Sequence, residues 1–454
     1  MASERIALRV GDRELSISSP GRVIFPDAGI TKLDVVQHYL AVAEGALRGA
    51  GDRPNVMVRW PEGIGGEHFY QKRAPASRPP WIEVVALRFP SGRSAEEIVP
   101  REPAALVWMV QMGCLELHPH PVRADDLDHP DELRVDLDPV PGVEWAQIRD
   151  GAKVVHETLA DLELVGWSKT SGSRGVHVLV RLYRRWGFDE VRRAALAIAR
   201  EVERRAPSIA TSKWWKEERH GVFLDYNQNA KDRTVCSAYS VRPRPDARVS
   251  TPLFWEELEA CDPADFTVRT VAARFASIGD PHRDIEQHPC SLEKVLELAA
   301  RQEAEGASDA PWPPHYQKQE GEPPRVQPSR AKKPKATAHE GEAPAKSKGR
   351  RTPSKPLIEI GRAAKKADAL AGLERWKARH ADVVPHLEAR DVLVDAMRGR
   401  YSTWTRVRVN LEHVPPELRP PQEPLDPDYA APDPRTAGYL AHLAKDEDAS
   451  GPER

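Results

Sequence analysis

The sequence predicts a large α+β domain with central antiparallel or mixed sheets flanked by helices, followed by a small α/β module. Stretches with strand-type alternation are interspersed with stretches of helical periodicity up to about residue 300. From 304 to 354 the chain is rich in Pro, Lys, Glu, Ala and Ser and almost lacks apolar periodicity. We therefore expect a domain over 1–303, a basic disordered linker over 304–354, a module over 355–420 and a loosely ordered tail over 421–454.

The elements of the large domain follow from periodicity and from boundary residues. A helix is expected over 31–48, where Thr31 is a suitable N-cap. Another helix is expected over 103–113, because Pro103 suits a first helical turn. The other predicted elements are short strands within 1–20, a strand at 56–60, a segment at 69–73 after a glycine-rich turn, strands at 133–139, 176–182 and 222–225, and helices over 145–162 and 188–206.

The small module is predicted as a helix or helix pair over 357–380 and strands at 391–395 and 404–409. Its residues suggest no chemistry. The linker before it is basic within 329–355, which is usually a solvated feature but could add salt-dependent affinity for phosphates.

Composition limits the class of protein. Charged residues make up 30% of the 454 residues, and the net charge of -2 does not identify a partner. The sequence contains neither a membrane-length apolar run nor a signal-peptide core, so we expect a cytoplasmic protein. The four cysteines are scattered without a C-x-x-C pair, which argues against a disulfide framework. Cys114 could form a metal site with His118 and His120, but a small buried hydrophobic residue is the favoured interpretation.

The stretch 133–139 carries the strongest chemical signal. Its alternation places Asp136 and Asp138 on one strand face, with backbones roughly 7 Å apart. Like charges so close repel one another unless a cation lies between them, and oxygen ligands favour Mg²⁺, Mn²⁺ or Ca²⁺. A solvated acidic strand face is the alternative that this stretch alone leaves open.

A second motif, Thr-Ser-Gly-Ser-Arg-Gly-Val-His at 170–177, leads into the strand 176–182. A Gly/Ser loop can turn backbone N–H groups toward an anion, with Arg174 as a fixed charge and His177 as a donor. An ordinary turn would have the same composition. The chain contains no Gly-Lys pair of a Walker loop, and Ser171 replaces the glycine that a nucleophile elbow around Ser173 would need.

A third motif, at 222–229, ends an apolar strand with Asp225 and continues with amide side chains. Asp225 could complete a three-carboxylate metal site with Asp136 and Asp138. Carboxylates, flanking cations and a phosphate-binding loop are the parts of metal-assisted phosphoryl or nucleotidyl transfer. The flanking basic residues are Lys213, Lys216, Arg219, Lys231, Arg233 and Arg242.

The three motifs RVDLDP, TSGSRGVHV and FLDYNQN…AYSVRP, in this order and spacing, resemble the polymerase domain of bacterial DNA ligase D. That domain belongs to the archaeo-eukaryotic primase-polymerase superfamily, and the resemblance covers roughly 5–300. It implies a primase-polymerase catalytic core that adds nucleotides, often ribonucleotides, to DNA ends and gaps in break repair. It implies a two-metal site with Mn²⁺ or Mg²⁺ on Asp136, Asp138 and Asp225.

The resemblance also implies roles for further residues. Those expected to hold the incoming nucleotide are Ser171, Arg174, His177, Arg219, Arg242 and His118. Arg22 and Lys32 match basic residues that read a 5′-phosphate, with Arg22 replacing a lysine. Phe69 and Tyr70 match an aromatic pair on which bases stack, and Arg59 and Lys72 would line the same path. Without the resemblance, each of these DNA-end residues would be read as an ordinary surface or core residue.

The chain contains no Lys-x-Asp-Gly ligase motif and no sign of a His-rich phosphoesterase domain, so it looks like a stand-alone member of the kind that actinobacteria encode. Expected partners are DNA with 5′-phosphorylated gaps or ends, nucleoside triphosphates, a separate DNA ligase and an end-bridging protein, in a nucleoid-associated setting. We expect template-directed nucleotidyl transfer. The alternatives are a non-catalytic end-binding adaptor that recruits a ligase, and a primase that acts de novo.

Overall fold

The computed structural model describes residues 4–89, 92–314, 316, 318, 322–325, 356–363, 366–398 and 403–425. The chain divides into two compact units, Met1–Lys333 and Pro334–Arg454. The helices are α1 (Lys32–Ala41), α2 (Ala43–Ala50), α3 (Pro103–Gln111), α4 (Trp145–Asp161), α5 (Phe188–Arg205), α6 (Val271–Ile278), α7 (Glu293–Ala304) and α8 (Lys366–Arg379).

Strands alternate with these helices through both units. They are β1 (Arg5–Val10), β2 (Arg13–Ser18), β3 (Val23–Phe25), β4 (Ile30–Thr31), β5 (Asn55–Arg59), β6 (Phe69–Gln71), β7 (Glu83–Arg88), β8 (Ser94–Val99), β9 (Cys114–Pro119), β10 (Glu132–Pro139), β11 (Gly166–Thr170), β12 (Val176–Arg181), β13 (Ala210–Thr211), β14 (Val222–Leu224), β15 (Leu357–Ala363), β16 (Val392–Arg398) and β17 (Thr403–Asn410).

The central sheet of the first unit has the strand order β11-β12-β10-β14-β13. Its pairs are antiparallel except for β13 with β14, as expected for a mixed sheet. Helices α4 and α5 pack against it, and Leu133, Val135 and Leu137 of β10 are buried in the core. Burial of these alternate residues turns the intervening carboxylates of β10 toward the other face.

A second sheet has the order β6-β5-β8-β7, and β9 also pairs with β5. Val58 of β5 is opposite both Tyr70 of β6 and Glu116 of β9, and Arg59 is opposite Phe69. The strand β5 therefore sets the register between the predicted aromatic pair and the β9 strand that carries His118.

The second unit contains the antiparallel sheet β15-β17-β16, and α8 packs on β15 and β17. The strands β16 and β17 contain the predicted strand stretches. Residues 357–363 form a strand, whereas the sequence predicted a helix from 357. The physical reason is that Ile358 and Ile360 point into the core, with a bulge before Gly361 that interrupts strict alternation.

Two further predictions differ from the structure. The helix expected over 31–48 is broken at Val42 into α1 and α2, although Thr31 does cap α1, accepting a hydrogen bond from Asp34 N. The linker was expected to begin at 304, but the described residues from 309 to 325, which we call the strap, pack on the first unit. The rest of the predicted linker up to 355, and 426–454 of the predicted tail, lie outside the described residues.

The strap is held by a buried cation and an indole. Arg192 of α5 is 1% exposed, donates to the carbonyl of Ala310 at 2.7 Å and pairs with Asp309 at 3.0 Å. Its guanidinium lies 3.9 Å from the Trp312 ring centroid, in cation–π contact. Trp214 Nε1 donates to the carbonyl of Arg325 at 3.1 Å. The strap is thus part of the first unit.

We predict that a fragment ending at residue 305 is less stable than a fragment ending at 333. Removing the strap exposes the faces that Trp312 covers and removes the strap partners of Arg192, which should lower the free energy of unfolding by about 2–3 kcal/mol. Urea unfolding of the two fragments measures this difference. Equal midpoints and equal slopes would show that the strap contributes nothing to the unit.

Candidate active site and nucleic-acid interface

The three predicted carboxylates lie at the adjoining ends of β10 and β14. Asp136 and Asp138 are on the face of β10 opposite its buried apolar residues, and Asp225 directly follows β14. The backbone N–H of Asp225 donates to the carbonyl of Asp136 at 2.9 Å, which joins the two strand ends. The sheet therefore brings together residues that are about ninety positions apart in the sequence.

The turn after β14 orients Asp225. The 3-10 helix Tyr226–Asn229 begins there, and the Asp225 carboxylate accepts from Asn227 N at 3.1 Å and from Gln228 Nε2 at 2.9 Å. Asn227 is also bound by Arg192, at 2.7 Å. The sequence identified Asp225 but not Arg192, because nothing local shows that a residue of α5 reaches this turn.

The carboxylates repel one another in the absence of a cation. Burial raises the pKa of Asp136 to about 8, and the charges of Asp225 and Asp138 add to this effect. Burial also raises the pKa of Asp225. A divalent cation would remove this repulsion, and all three side chains are oxygen donors of the kind that Mg²⁺ and Mn²⁺ prefer. The donor set therefore fits a divalent metal.

Among the residues that the structure describes, a single set of His, Cys, Asp and Glu side chains has close metal-ligand spacing, and it does not include the three aspartates. Potential ligand atoms of Glu116, His118 and Cys236 lie within 4.8 Å of one another. The guanidinium of Arg242 pairs with Glu116 at 3.0 Å, so a cation already occupies this place. The alternative set with Cys114 is not formed, because Cys114 Sγ donates to the carbonyl of Glu116 and His120 pairs with Glu97 at 2.9 Å.

The Gly/Ser loop packs on the metal-site strand and on Arg242. The Ser171 hydroxyl accepts from the backbone N–H groups of Ser173 at 3.1 Å and Gly175 at 3.0 Å, which closes the loop. Gly172 has a φ of +67°, and a Cβ there would lie 2.4 Å from Cγ of Arg242. The loop thus needs glycine to approach Arg242. The guanidinium of Arg174 donates to the carbonyl of Pro139 at 3.2 Å, beside the end of β10.

His177 is directly opposite Asp136 in the sheet, and its Nε2 lies 3.4 Å from Asp136 Oδ1. Its Nδ1 lies 2.9 Å from the ammonium of Lys169, a residue that was not among the predicted site residues. The only sequence signal for Lys169 is its position before the Thr-Ser-Gly motif, and the contact with His177 depends on the β11–β12 register.

The other predicted nucleotide contacts line the same region. Arg219 lies over the Phe223 ring at 3.5 Å; burial lowers its pKa, while the charges of Asp225 and Asp138 oppose this. His118 of β9 is largely buried, and its Nε2 has no hydrogen-bond partner. Burial lowers the pKa of His118, so the ring is held neutral.

Arg22, Lys32 and Arg59 line a separate cavity of about 170 Å³. Lys32 Nζ donates to the carbonyl of Ser18 at 2.9 Å, and Arg22 donates to the carbonyl of Pro61 at 2.5 Å. Burial, together with the charges of Arg22 and Arg5, lowers the pKa of Lys32 to about 8. An anion bound in this small cavity would reduce the repulsion between these cations.

The aromatic pair on β6 contacts one residue that lines this cavity and one predicted nucleotide contact. Phe69 and Tyr70 are 45% and 61% exposed, which is unusual for large rings. Arg59 lies 5.1 Å from the Phe69 ring centroid, and Tyr70 makes an edge contact with His118 at 6.3 Å. Lys72, which is predicted to line the same path, pairs with Asp232 and lies 4.3 Å from the Phe89 ring centroid.

Within the described part of the chain, none of the helices combines the length and apolar character needed to cross a bilayer.

Comparison with known proteins identifies relatives of the first unit. The model of a family described as LigD, primase-polymerase domain, matches residues 31–282. The multifunctional non-homologous end joining protein LigD of Pseudomonas aeruginosa is 34% identical over 282 residues, which cover 61% of this chain and 34% of that protein. The LigD protein of Mycobacterium tuberculosis is 32% identical over 280 residues, covering 59% and 36%. This chain therefore spans about a third of the length of these relatives.

A solved structure gives the same assignment. The polymerase domain from Mycobacterium tuberculosis ligase D, in complex with DNA, matches with a TM-score of 0.57 and 31% identity, covering 61% of this chain and 99% of that one. The three motifs lie inside the region that the family model matches, and this region is more than half of the 454 residues. The chain belongs to the LigD primase-polymerase domain family.

Proposed function

We propose that the protein is a template-directed nucleotidyltransferase that adds nucleotides, preferentially ribonucleotides, to DNA ends and gaps during end joining. The main support for this proposal is that Asp136, Asp138 and Asp225 are all present at adjoining strand ends and are surrounded by cationic side chains. The family name and the DNA bound to the mycobacterial structure support this substrate class. Nucleoid association and cooperation with a separate ligase and an end-bridging protein are parts of the same proposal.

In the proposed reaction a primer 3′-hydroxyl attacks the α-phosphate of a nucleoside triphosphate, and pyrophosphate leaves. Asp136, Asp138 and Asp225 would together hold the Mn²⁺ or Mg²⁺ ions of a two-metal site. When bound, such ions polarise the phosphate and stabilise the charge that develops on the attacking and leaving oxygens. Asp136 must be ionised for this role, and the raised pKa of its carboxyl makes cation binding and proton release linked events.

The remaining residues would hold the triphosphate. Arg242 can exchange its bond with Glu116 for a phosphate oxygen, and Arg219 would add a second charge beside Asp225. Arg174 and the backbone of the closed Gly/Ser loop add donors at the end of β10. His118 would contact the nucleotide through Nε2, which lies 3.9 Å from Glu116 Oε1 and makes no hydrogen bond among the described residues. These groups orient the phosphates, which is the main protein contribution in phosphoryl transfer.

A non-catalytic end-binding adaptor would need the DNA path but not three carboxylates that repel one another. Burying such groups without a metal costs stability, so their presence favours catalysis over the adaptor. A primase that starts strands de novo would use the same core. Incubation with a single-stranded template and nucleotides, with and without a primer, distinguishes the two polymerising activities.

We predict that Asp138→Ala abolishes nucleotide addition but leaves DNA affinity nearly unchanged. Loss of a metal ligand removes several kcal/mol of transition-state stabilisation, about 10²–10⁴-fold in rate. DNA affinity depends mostly on Lys and Arg contacts with phosphates. Primer extension with Mn²⁺ and a fluorescence-anisotropy titration measure the two effects.

The matched control for this experiment is Asp150→Ala, which removes an exposed carboxylate of α4. It should extend primers at the wild-type rate. Extension by Asp138→Ala at more than a few per cent of wild type would overturn the assignment of the metal site, and failure of the wild type itself would favour the adaptor.

We further predict that Arg22 and Lys32 recognise a 5′-phosphate. A terminal phosphate carries nearly two negative charges, and charge-assisted hydrogen bonds to it are strong. The wild type should bind gapped DNA with a 5′-phosphate about ten- to hundredfold more tightly than the same DNA without it. The combined variant Arg22→Ala with Lys32→Met should lose this preference and still extend a simple primer–template.

The control is Arg9→Ala, which removes an exposed cation of β1 and should retain the preference. A wild type that does not distinguish the two DNAs, or a combined variant that still does, would place 5′-end recognition elsewhere.

A further inference from the structure

Lys169 of β11 is a buried cation at an unexpected place. The residue is 1% exposed, and no carboxylate lies within 4.0 Å of its ammonium in the described part of the chain. Burial lowers its pKa to about 8. A buried ammonium without a carboxylate partner lowers the stability of the fold, which favours a functional reason for its presence.

Both polar contacts of Lys169 require it to be a donor. Its Nζ lies 2.5 Å from Ser250 Oγ and 2.9 Å from His177 Nδ1. The Ser250 hydroxyl donates its single hydrogen to the carbonyl of Thr170 at 2.7 Å, so Ser250 Oγ can only accept from Lys169. An ammonium carries donors and no acceptor, so His177 Nδ1 must accept as well.

The sheet register explains why the contact forms. Lys169 is paired with His177 across β11 and β12, and His177 is paired with Asp136 across β12 and β10. Paired residues of an antiparallel sheet point to the same face, with Cβ atoms about 5 Å apart. Lys169, His177 and Asp136 thus form one row across three strands, which ends at the proposed metal site.

We propose that Lys169 is a positioning residue that holds His177 in the tautomer with the proton on Nε2, so that His177 offers an N–H to the triphosphate. The role rests on the proposed nucleotide site. The ammonium of Lys169 at 2.9 Å needs a lone pair on Nδ1, so the ring bears no proton there and is the neutral form with one N–H. With Nδ1 occupied as an acceptor, that N–H is on Nε2.

The Nε2–H of His177 does not make a close hydrogen bond. It lies 3.4 Å from Asp136 Oδ1, longer than an ordinary N–H···O bond, so a closer acceptor can replace this contact. Phosphate oxygens only accept hydrogen bonds. The opposite tautomer would present a lone pair to the phosphate and would repel it, so the position of one proton decides whether His177 favours or opposes nucleotide binding.

The test uses the full chain with ¹⁵N-labelled histidine, with the His177 signals assigned by their loss in His177→Gln. The wild type should show a protonated Nε2 and an unprotonated Nδ1. Lys169→Met keeps the apolar stem but removes the donor, and should give a mixture of tautomers. Lys169→Gln also lacks charge but retains an N–H donor, and should restore the wild-type pattern. A proton on Nδ1 in the wild type, or an unchanged pattern in Lys169→Met, would overturn the proposal.

Kinetics provide an independent readout. Loss of a hydrogen bond to a phosphate should raise KM for the nucleotide about ten- to hundredfold in Lys169→Met, with a smaller change in kcat. In the His177→Gln background the same substitution should have no further effect on KM, because the residue through which it acts is gone. A general structural effect would persist in both backgrounds. Because the tautomer is measured without nucleotide, the outcome for Lys169 does not depend on whether the protein is an active polymerase.

Discussion

Electrostatic repulsion among three carboxylates at adjoining strand ends is the constraint on which the rest of the first unit depends. Asp136 and Asp138 are held two residues apart by the pleat of β10, and the backbone bond from Asp225 to Asp136 prevents the third from moving away. Cationic residues of otherwise distant segments lie around this point: Arg219 beside Asp225, Arg242 on Glu116, and Lys169 behind His177. The fold thereby maintains a concentration of negative charge that is relieved when Asp136 takes up a proton or when cations bind.

The sequence located the carboxylates because each signal is local. Alternation along β10 places Asp136 and Asp138 on one face, and an apolar strand that ends in Asp225 marks the third. It could not locate Lys169 or Arg192, since their contacts arise from strand register and helix packing. The same limit explains the strand at 357–363: a bulge before Gly361 disturbs alternation, and only the packing of α8 on β15 shows which face is buried.

The strap shows a different limit of sequence reasoning. The average composition of 304–354, which is rich in Pro, Lys and Glu, is typical of a disordered segment. Trp312 is buried over the Arg192 guanidinium, and together with the bonds from Arg192 to Asp309 and Ala310 it holds this stretch in place. The strap lies beyond residue 282, where the family match ends, yet it contacts Asn227 through the carbonyl of Pro311 at 3.0 Å. Residues outside the shared domain thus support the turn that orients Asp225.

The second sheet relates the two ends of the proposed DNA path. Strand β5 pairs with β6, which carries Phe69 and Tyr70, and with β9, which carries Glu116 and His118. Arg59 at the end of β5 lines the cavity of Arg22 and Lys32. A shift of one residue in either pairing would turn these side chains to the other face of the sheet, so the register is strongly constrained. If the cavity holds a 5′-phosphate as proposed, its separation from Glu116 and His118 is set by the backbone hydrogen bonds that pair β5 with β9.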